Sequence, residues 1–348
     1  MIPRKKILRF NNAEISVIGF GGAAISGEGG GYGFGAISEE KTKELLKKSF
    51  DAGINIFDTA PVYGFGTSEN RLGKTFKNLR DQVFIISKCG VIYDINKRIR
   101  ICNDPKVAKE MLENSLKNLN SEYIDLYMIH WPDSYYDIRY TLEVLVRARE
   151  EGKIKYIGLS NTNIDDLKKA EEIVGERGVD AVQTELNIFN RRVVNELFPY
   201  LKEKEIAFFA WGTFDKGIIS ETVTPQRNDY DSFDARSWAP WWKGSKEKTK
   251  REKKFQAMKE IRKEIFESIN GKENNFGKNI SGTHLAIYHN LFYQEVTSTL
   301  CGIKSLDQLH SIEKIVDNLD NENSKFSKEK TYLIEQTLKI LDKDQYVF

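Results

Sequence analysis

Four side chains able to move a proton stand at or just beyond the ends of three consecutive apolar runs. They are Asp58 with Tyr63 just after it, Lys88, and His130. A free tyrosine loses its proton only near pH 10, roughly, but a neighbouring ammonium favours the phenolate, and a carboxylate would hold that ammonium charged. The histidine could hydrogen-bond the same substrate oxygen. Together the four could protonate or deprotonate an oxygen on a carbon that exchanges hydride.

Each of the four also has a purely structural interpretation. Asp58 could cap a loop, Lys88 could be a solvated lysine, His130 could be a hydrogen-bonded core residue, and Tyr63 could pack a turn. Taken singly, these interpretations are the commoner ones. Their matching positions on successive runs favour an acid–base unit instead. None of the four is a nucleophile with a matched base, which speaks against a hydrolase.

The elements that position them are eight short apolar runs that alternate with amphipathic segments of helical period. Continuous apolar runs are typical of parallel strands buried on both faces, and eight strand–helix units predict a closed (β/α)8 TIM barrel. An open doubly wound sheet is the competing architecture, but it usually has a glycine-rich turn after its first strand. The runs are 17–23, 54–60, 83–90, 123–131, 153–161, 181–187, 206–212 and 296–303.

Three segments stand outside the repeat. KILRFNNAEIS predicts an N-terminal β-hairpin turning at Asn11-Asn12. A long excursion, residues 213–280, follows strand seven and should contain helices over 251–268 and in SGTHLAIYHNLFYQ. The C-terminal tail, 320–348, is charged and carries one amphipathic helix, KTYLIEQTLKILDK. No second domain is indicated, so residues 1–348 are expected to form a single barrel domain.

Composition narrows the class of partner. The 53 Lys and Arg residues nearly balance 51 Asp and Glu, which gives no electrostatic case for nucleic acid or a membrane. Three cysteines without paired spacing fit a reducing compartment and argue against disulfides or a zinc site. The N-terminus has no apolar run that would suit a secretory signal. We expect a cytoplasmic protein with a small-molecule partner and no metal.

The same residues resemble the aldo-keto reductase family. INIFDTAPVYGFGTSENRLGK is similar to its signature with Asp, Tyr and a Gly-x-Ser-Glu turn, ISKCG to its lysine strand, and LYMIHWPD to its histidine strand. GKIKYIGLSN and AVQTELNIFNR are similar to its nicotinamide-side strands. The resemblance runs from about residue 6 to residue 316. It implies that Asp58, Tyr63, Lys88 and His130 are catalytic and that Tyr63 is the acid in carbonyl reduction.

The resemblance also implies a nicotinamide cofactor. Trp211 stands where the family usually has a Tyr stacked on the nicotinamide, and Gly-Thr-Phe replaces its usual Ser-Pro-Leu. Lys304 could meet a ribose 2′-phosphate, which favours NADP over NAD. The implied cofactor residues are Ser160, Asn161, Gln183, Trp211, Gly212, Thr213, Phe214, Gly217, Gly302, Lys304, Ser305 and Gln308.

The substrate side gives fewer signals. Trp131 should line the mouth beside His130, and the glycine-rich loop 26–38 could place Tyr32 over the pocket as a mobile rim. SWAPWW (237–242), with Trp238, could form an aromatic wall for a sugar or another amphipathic substrate. The alternative is that these tryptophans only pin the excursion to the barrel.

Three functions remain open at this point. The first is an NADPH-dependent aldehyde or ketone reductase, with a sugar or keto-sugar as one candidate substrate. The second is a cofactor-binding regulatory subunit with slow chemistry, since the barrel subunits of potassium channels resemble this family. The third, a barrel lyase or isomerase, would need metal ligands or a Schiff-base lysine, and the sequence has no such cluster. Oligomeric state and physiological substrate do not follow from the sequence.

Overall fold

A closed barrel of eight parallel strands forms the centre of the molecule. The computed structural model describes residues 1–267, 280–317, 325–343 and 346. The predicted (β/α)8 fold is confirmed, because helices connect the strands around the barrel. In barrel order from the first strand of the chain, the strands are β3 (Ile18–Gly21), β4 (Ile56–Asp58), β5 (Phe84–Cys89), β8 (Ile124–Ile129), β9 (Ile154–Ser160), β10 (Ala181–Glu185), β11 (Ala207–Trp211) and β12 (Val296–Cys301).

Helices between the strands, and two after the last strand, form the outer layer. Their apolar faces pack against the strands, as the helical period of the sequence predicts. They are α1 (Glu39–Asp51), α2 (Thr67–Phe76), α3 (Pro105–Asn118), α4 (Ile138–Glu150), α5 (Ile164–Val174), α6 (Arg192–Glu196) and α7 (Phe198–Glu203), followed by α8 (Pro240–Lys243), α9 (Ser245–Ile261), α10 (Gly282–Phe292), α11 (Leu306–Asp317) and α12 (Lys325–Leu341).

Two antiparallel hairpins flank the barrel. The predicted N-terminal one pairs β1 (Arg4–Ile7) with β2 (Ala13–Ser16), and Asn11 and Asn12 take the left-handed backbone conformation that its turn needs. The second pairs β6 (Val91–Tyr93) with β7 (Ile99–Ile101) directly after β5. It was not anticipated, because these three-residue strands are too short to give an alternating pattern.

The excursion differs from its prediction at one point. The helix expected over 251–268 begins earlier, at Ser245, and is preceded by α8, so much of 237–250 is helical rather than loop. Pro240 in the first turn of α8 suits a helix start. Residue 268 and the polar stretch 271–279 lie outside the described residues. The helices predicted near 281–294 and in the tail are present as α10 and α12.

The barrel interior explains how the strands aim their side chains. Alternate residues of a strand face the same side, and Ile56, Ile86 and Met128 belong to one buried cluster that Phe10 of the hairpin also joins. The next residues of the same series, two positions further along each strand, reach the carboxyl end of the barrel. No helix in the described part of the chain has the length and apolarity to cross a bilayer.

Candidate active site

Three of the predicted catalytic residues continue the inward-facing series of their strands. Asp58 follows Ile56 by two positions, Lys88 follows Ile86, and His130 follows Met128. The strands pair in parallel register, with Asp58 opposite Ile86 and Lys88 opposite Met128. The barrel geometry therefore brings these side chains to one mouth, where TIM barrels place their chemistry.

Lys88 and Asp58 form a buried ion pair. Lys88 Nζ donates to Asp58 Oδ2 at 2.6 Å and to the carbonyl oxygen of Thr59 at 2.8 Å, and the lysine is fully buried. Gln183 Nε2 donates to the same Asp58 oxygen at 2.7 Å, so β10 is tied to β4 across the barrel. Burial lowers the pKa of Lys88, and the Asp58 charge opposes that shift. The ammonium is thus held in place on two sides.

Tyr63 lies on the loop after β4, next to this ion pair. Lys88 Nζ is 5.3 Å from the centre of the Tyr63 ring, and the ring meets His130 edge-on with centroids 5.9 Å apart. Burial raises the pKa of Tyr63 well above 10, and the Asp58 charge adds to the rise. The sequence predicted a lowered pKa from the Lys88 charge, but the net shift is upward because burial of the phenol dominates. Tyr63 is a neutral phenol.

His130 is held by its backbone and stays uncharged. The His130 backbone N–H donates to the carbonyl oxygen of Cys89 at 2.9 Å, which joins β8 to β5 at the mouth. Burial first, and the Lys88 charge second, lower the pKa of His130 well below 6.5. A neutral imidazole beside a neutral phenol can bind a carbonyl oxygen without adding charge to the pocket.

On the opposite side of the mouth, Trp211 and Asn161 hold each other. The indole Nε1 of Trp211 donates to Asn161 Oδ1 at 3.2 Å, and Asn161 Nδ2 donates to the His130 carbonyl oxygen at 2.9 Å and to Ser160 Oγ at 3.0 Å. Because the indole nitrogen is only a donor, the orientation of the amide is fixed. Asn161 keeps a left-handed backbone, φ 53°, in this position.

The hydrogen-bonding groups that are still unused on this side of the mouth fit a nicotinamide carboxamide. The Ser160 hydroxyl accepts from Asn161, which leaves its own proton to donate, and Gln183 Oε1 receives no hydrogen bond within the described residues. A carboxamide needs one donor and one acceptor of this kind. The half-buried indole of Trp211 adds an aromatic face suited to a flat ring. The residues present therefore fit the cofactor that the sequence implies.

The implied cofactor residues of segment 212–217 are mostly engaged within the protein. Thr213 Oγ1 bonds the Leu300 carbonyl at 2.9 Å and lies 2.7 Å from Thr299 Oγ1, and the Gly212 carbonyl oxygen accepts from Asn187. A Cβ at Gly217 would lie 2.7 Å from Thr222 Oγ1, so packing as well as ligand approach accounts for this glycine. Phe214 packs against the main core.

The implied cofactor residues of segment 302–308, with the Lys304 that could meet a 2′-phosphate, lie at the start of α11. Lys304 Nζ donates to the carbonyl oxygens of Phe34, Gly35 and Ala36 at 2.5, 2.9 and 3.3 Å, which ties this end to the glycine-rich loop. A 2′-phosphate would have to replace these contacts. Gln308 Oε1 accepts from the Lys304 backbone N–H, while Gly302, Ser305 and Gln308 are exposed.

The aromatic residues predicted for the substrate side separate into two groups. Tyr32 packs beside Tyr63 and stacks on Trp238, with ring centroids 6.3 Å apart; Trp238 and Trp131 are 44% and 39% exposed. Trp242, by contrast, is buried against Tyr230 and Arg251. Trp238 therefore fits the predicted aromatic wall for a substrate, and Trp242 fits the alternative, in which a tryptophan holds the excursion against the barrel.

Two buried charged groups near the mouth were not anticipated. Glu69, in the Ser-Glu that opens α2, is fully buried behind β5. Asp215 is also buried and pairs with Lys254 of α9 at 2.7 Å and with Lys216 at 3.2 Å, so it anchors the excursion to the barrel. Glu69 could have been noticed as part of the signature segment. Asp215 could not, because its partner Lys254 is 39 residues away.

Comparisons with known proteins agree with this geometry. Residues 17–325 match the model of the "Aldo/keto reductase family", and the chain belongs to that family. It is 31% identical over 319 residues to the aldo-keto reductase YhdN of Bacillus subtilis (strain 168), covering 90% of this chain and 88% of that protein. Members of this family are NAD(P)H-dependent oxidoreductases that act on carbonyl groups, and so is this chain.

Two further proteins are similar to this chain. It is 32% identical over 253 residues to the NADH-specific methylglyoxal reductase of Escherichia coli (strain K12), covering 68% of this chain and 75% of that one. The structure of glycerol dehydrogenase AKR11B4 from Gluconobacter oxydans superposes with a TM-score of 0.74 at 23% identity, covering 96% of this chain and 94% of the other. The latter likeness is one of fold.

Proposed function

We propose that the protein reduces an aldehyde or ketone to an alcohol with NADPH, and that Tyr63 donates the proton. The observation that carries this proposal is the neutral Tyr63 phenol beside the buried Lys88–Asp58 ion pair and edge-on to His130. When bound, the reduced nicotinamide supplies a hydride to the carbonyl carbon. Ser160, Asn161, Gln183 and Trp211 would hold its nicotinamide end.

The chain's own groups perform the proton transfer. Tyr63 and the neutral His130 hydrogen-bond the substrate oxygen, which fixes its orientation. As negative charge develops on that oxygen, the Tyr63 proton moves to it and gives the alcohol. The phenolate left behind is stabilised by the Lys88 ammonium, which Asp58 keeps in place. Solvent returns the proton to Tyr63.

The preference for NADPH rests on the start of α11. Lys304, Ser305 and Gln308 lie together where α11 begins, and a helix N-terminus favours a phosphate. Against this stand the Lys304 contacts with the glycine-rich loop and the relative from Escherichia coli that is named NADH-specific. For the substrate, the stacked pair Tyr32 and Trp238 supports a sugar or keto-sugar, whose C–H faces pack well on aromatic rings.

The test is a titration with NADPH and NADH, followed by a panel of carbonyl substrates. We expect NADPH to quench tryptophan fluorescence at lower concentration than NADH, and to be oxidised in the presence of aldehydes or keto-sugars. An equal response to both cofactors, or none, would overturn the cofactor proposal. A protein that binds NADPH but oxidises it with no carbonyl on the panel would favour the regulatory subunit instead.

Tyr63→Phe tests the proton donor. The variant keeps the ring and loses the hydroxyl, so NADPH oxidation should fall about 1,000-fold while cofactor affinity stays within about twofold. Trp242→Phe, a buried substitution away from the mouth, is the control for a general loss of structure. Full turnover by Tyr63→Phe would show that another group is the acid.

A further inference from the structure

Glu69 is a buried carboxylate that the proposed mechanism does not use. It lies in the first turn of α2 and is fully buried. Ser87 Oγ donates to Glu69 Oε1 at 2.7 Å, and Asn118 Nδ2 donates to Glu69 Oε2 at 3.0 Å. Both partners are neutral, and no ion pair of Glu69 is found in the described part of the chain. Burying a carboxylate among neutral partners costs free energy, so the position of Glu69 needs a physical explanation.

Its partners lie next to two catalytic groups. Ser87 directly precedes Lys88 on β5, and its side chain points outward to α2 while Lys88 points into the barrel. Asn118 ends α3 and packs on the loop that carries Tyr63, because a Cβ on Gly66 would lie 3.0 Å from Asn118 Nδ2. Glu69 thus joins the strand of Lys88 to the loop of Tyr63.

The residue before Glu69 strengthens this connection. The Ser68 backbone N–H donates to the Tyr63 carbonyl oxygen at 3.2 Å, and Thr59 Oγ1 donates to Ser68 Oγ at 2.8 Å. Ser68 Oγ in turn donates to the carbonyl oxygen of Gly22 at 3.0 Å. The start of α2 is therefore fixed against both ends of the loop that presents Tyr63, and Glu69 fixes it against β5.

We propose that Glu69 is a positioning residue: it holds the Tyr63 loop against the Lys88 strand, and its carboxylate helps to keep Lys88 charged. This inference rests on the proposed acid–base function of Tyr63 and Lys88. A displacement of about 1 Å between reacting groups can cost about 100-fold in rate, so the connection has a kinetic consequence.

The electrostatics of the two groups agree with the geometry. Burial raises the pKa of Glu69, and the Lys88 charge opposes the rise; conversely, the Glu69 charge acts to raise the pKa of Lys88. Removing the Glu69 charge should therefore lower the pKa of Lys88. The other titratable groups around the pair are Asp58, Tyr63 and His130 on the Lys88 side, and Tyr93 and Tyr127 on the Glu69 side.

The experiment compares Glu69→Gln with Ser87→Ala in carbonyl reduction over a range of pH. For Glu69→Gln we expect kcat to fall about 10- to 100-fold, with KM and cofactor affinity within about twofold. The alkaline limb, meaning the fall of kcat at high pH, should move to lower pH. Without the Glu69 charge, the Lys88 ammonium keeps only the Asp58 carboxylate and loses its proton more easily. Ser87→Ala keeps the charge and loses one hydrogen bond, so its kcat should fall less and its alkaline limb should not move.

Unfolding without cofactor gives a second readout. A folded-state pKa above the unfolded value means that the carboxyl contributes stability at low pH and loses it as pH rises through the folded pKa. The Tm of Glu69→Gln minus that of the wild type should therefore increase from about pH 4 to about pH 7. If Glu69→Gln does not fold, Glu69→Asp keeps the charge but loses reach, and its kcat should fall without a shift of the alkaline limb.

The outcomes separate this inference from the proposed function. A wild-type protein that reduces no carbonyl compound removes the function and the inference built on it. An active wild type with a Glu69→Gln variant of unchanged kcat and unchanged alkaline limb overturns the inference alone. So does a folded Glu69→Asp variant with wild-type kcat, or a Tm difference that is independent of pH.

Discussion

The two halves of the barrel mouth are built differently. In the strand-end half, buried Lys88 and Gln183 both donate to buried Asp58, which joins three strands. In the loop half, the glycine-rich loop 26–38 and the excursion bond to each other. Ala36 N–H donates to the exposed Asp231 at 3.1 Å, Ala235 N–H donates to the Gly33 carbonyl oxygen at 2.9 Å, and Lys304 meets three carbonyls.

This difference separates chemistry from recognition. A buried ion pair between strands has one arrangement, because any other leaves a charge unpaired in the core. Water can replace the hydrogen bonds of an exposed loop, so such a loop can change conformation at a small cost in free energy. Binding sites commonly lie in such regions. We infer that the strand-end half fixes the reaction, and that the loop half adjusts to the cofactor and substrate.

The largest expected effect comes from breaking the ion pair. Asp58→Asn leaves the fully buried Lys88 ammonium without its carboxylate. Removing one partner of a buried pair typically costs about 3–5 kcal/mol, and the misplaced ammonium should lower kcat by about 100-fold or more. Chemical denaturation and steady-state kinetics measure the two effects.

Asp231→Asn is the matched change in the loop half. Its amide oxygen can still accept from Ala36 N–H, and the residue is exposed, so the free energy of unfolding should change by less than about 0.5 kcal/mol. The kcat should remain within about twofold. Equal losses for Asp58→Asn and Asp231→Asn would contradict the division of the mouth into two halves.

The strand-end half could be predicted from sequence because it follows a period of two. Ile56 and Asp58, Ile86 and Lys88, and Met128 and His130 each continue one inward face, so the apolar runs placed the polar ends together. What the runs could not show is the direction of each polar atom. Tyr63 and Lys88 are adjacent, yet the lysine bonds Asp58 and Thr59, and burial of the phenol reverses the expected pKa shift of Tyr63.

The loop half could not be predicted because its contacts join distant segments without a period. Lys304 meets a loop about 270 residues earlier in the chain, and the residue types alone suggested a phosphate ligand instead. Likewise, nothing in SWAPWW distinguishes exposed Trp238 from buried Trp242. Such choices depend on tertiary packing, which the residue types alone do not determine.

The pH dependence of the two directions of reaction gives the next largest effect. Because the pKa of Tyr63 is raised, the phenol stays protonated at neutral pH, so the kcat for reduction should be flat between about pH 7 and pH 9. Alcohol oxidation needs the phenolate, so its rate should rise about tenfold per pH unit over the same range. Asp231→Asn should show the same slopes. If the rates of reduction and of oxidation both changed near pH 6.5, that would instead indicate titration of His130.

Trp211→Phe should have a smaller effect and tests the border between the halves. The variant keeps an aromatic ring but loses the indole N–H that fixes Asn161. Losing one hydrogen bond of this kind costs about 1 kcal/mol, so the Kd for the reduced cofactor should rise about fivefold. Fluorescence of bound NADPH measures the Kd without relying on tryptophan. Asn161→Ala should weaken binding at least as much; if Trp211→Phe binds as the wild type does, the indole serves only as a ring.

Lys304→Met should have the smallest effect and addresses the loop half directly. If NADPH draws Lys304 away from the carbonyls of Phe34, Gly35 and Ala36, a 2′-phosphate gains a charge-assisted contact at their expense. The net preference is then a difference between two sets of contacts, and we expect the Kd for NADPH to rise about threefold to fivefold more than the Kd for NADH. Equal changes for both cofactors would mean that Lys304 stays on the loop and that its role is to hold the rim. That outcome would extend the rigid part of the mouth into the half that we describe as adjustable.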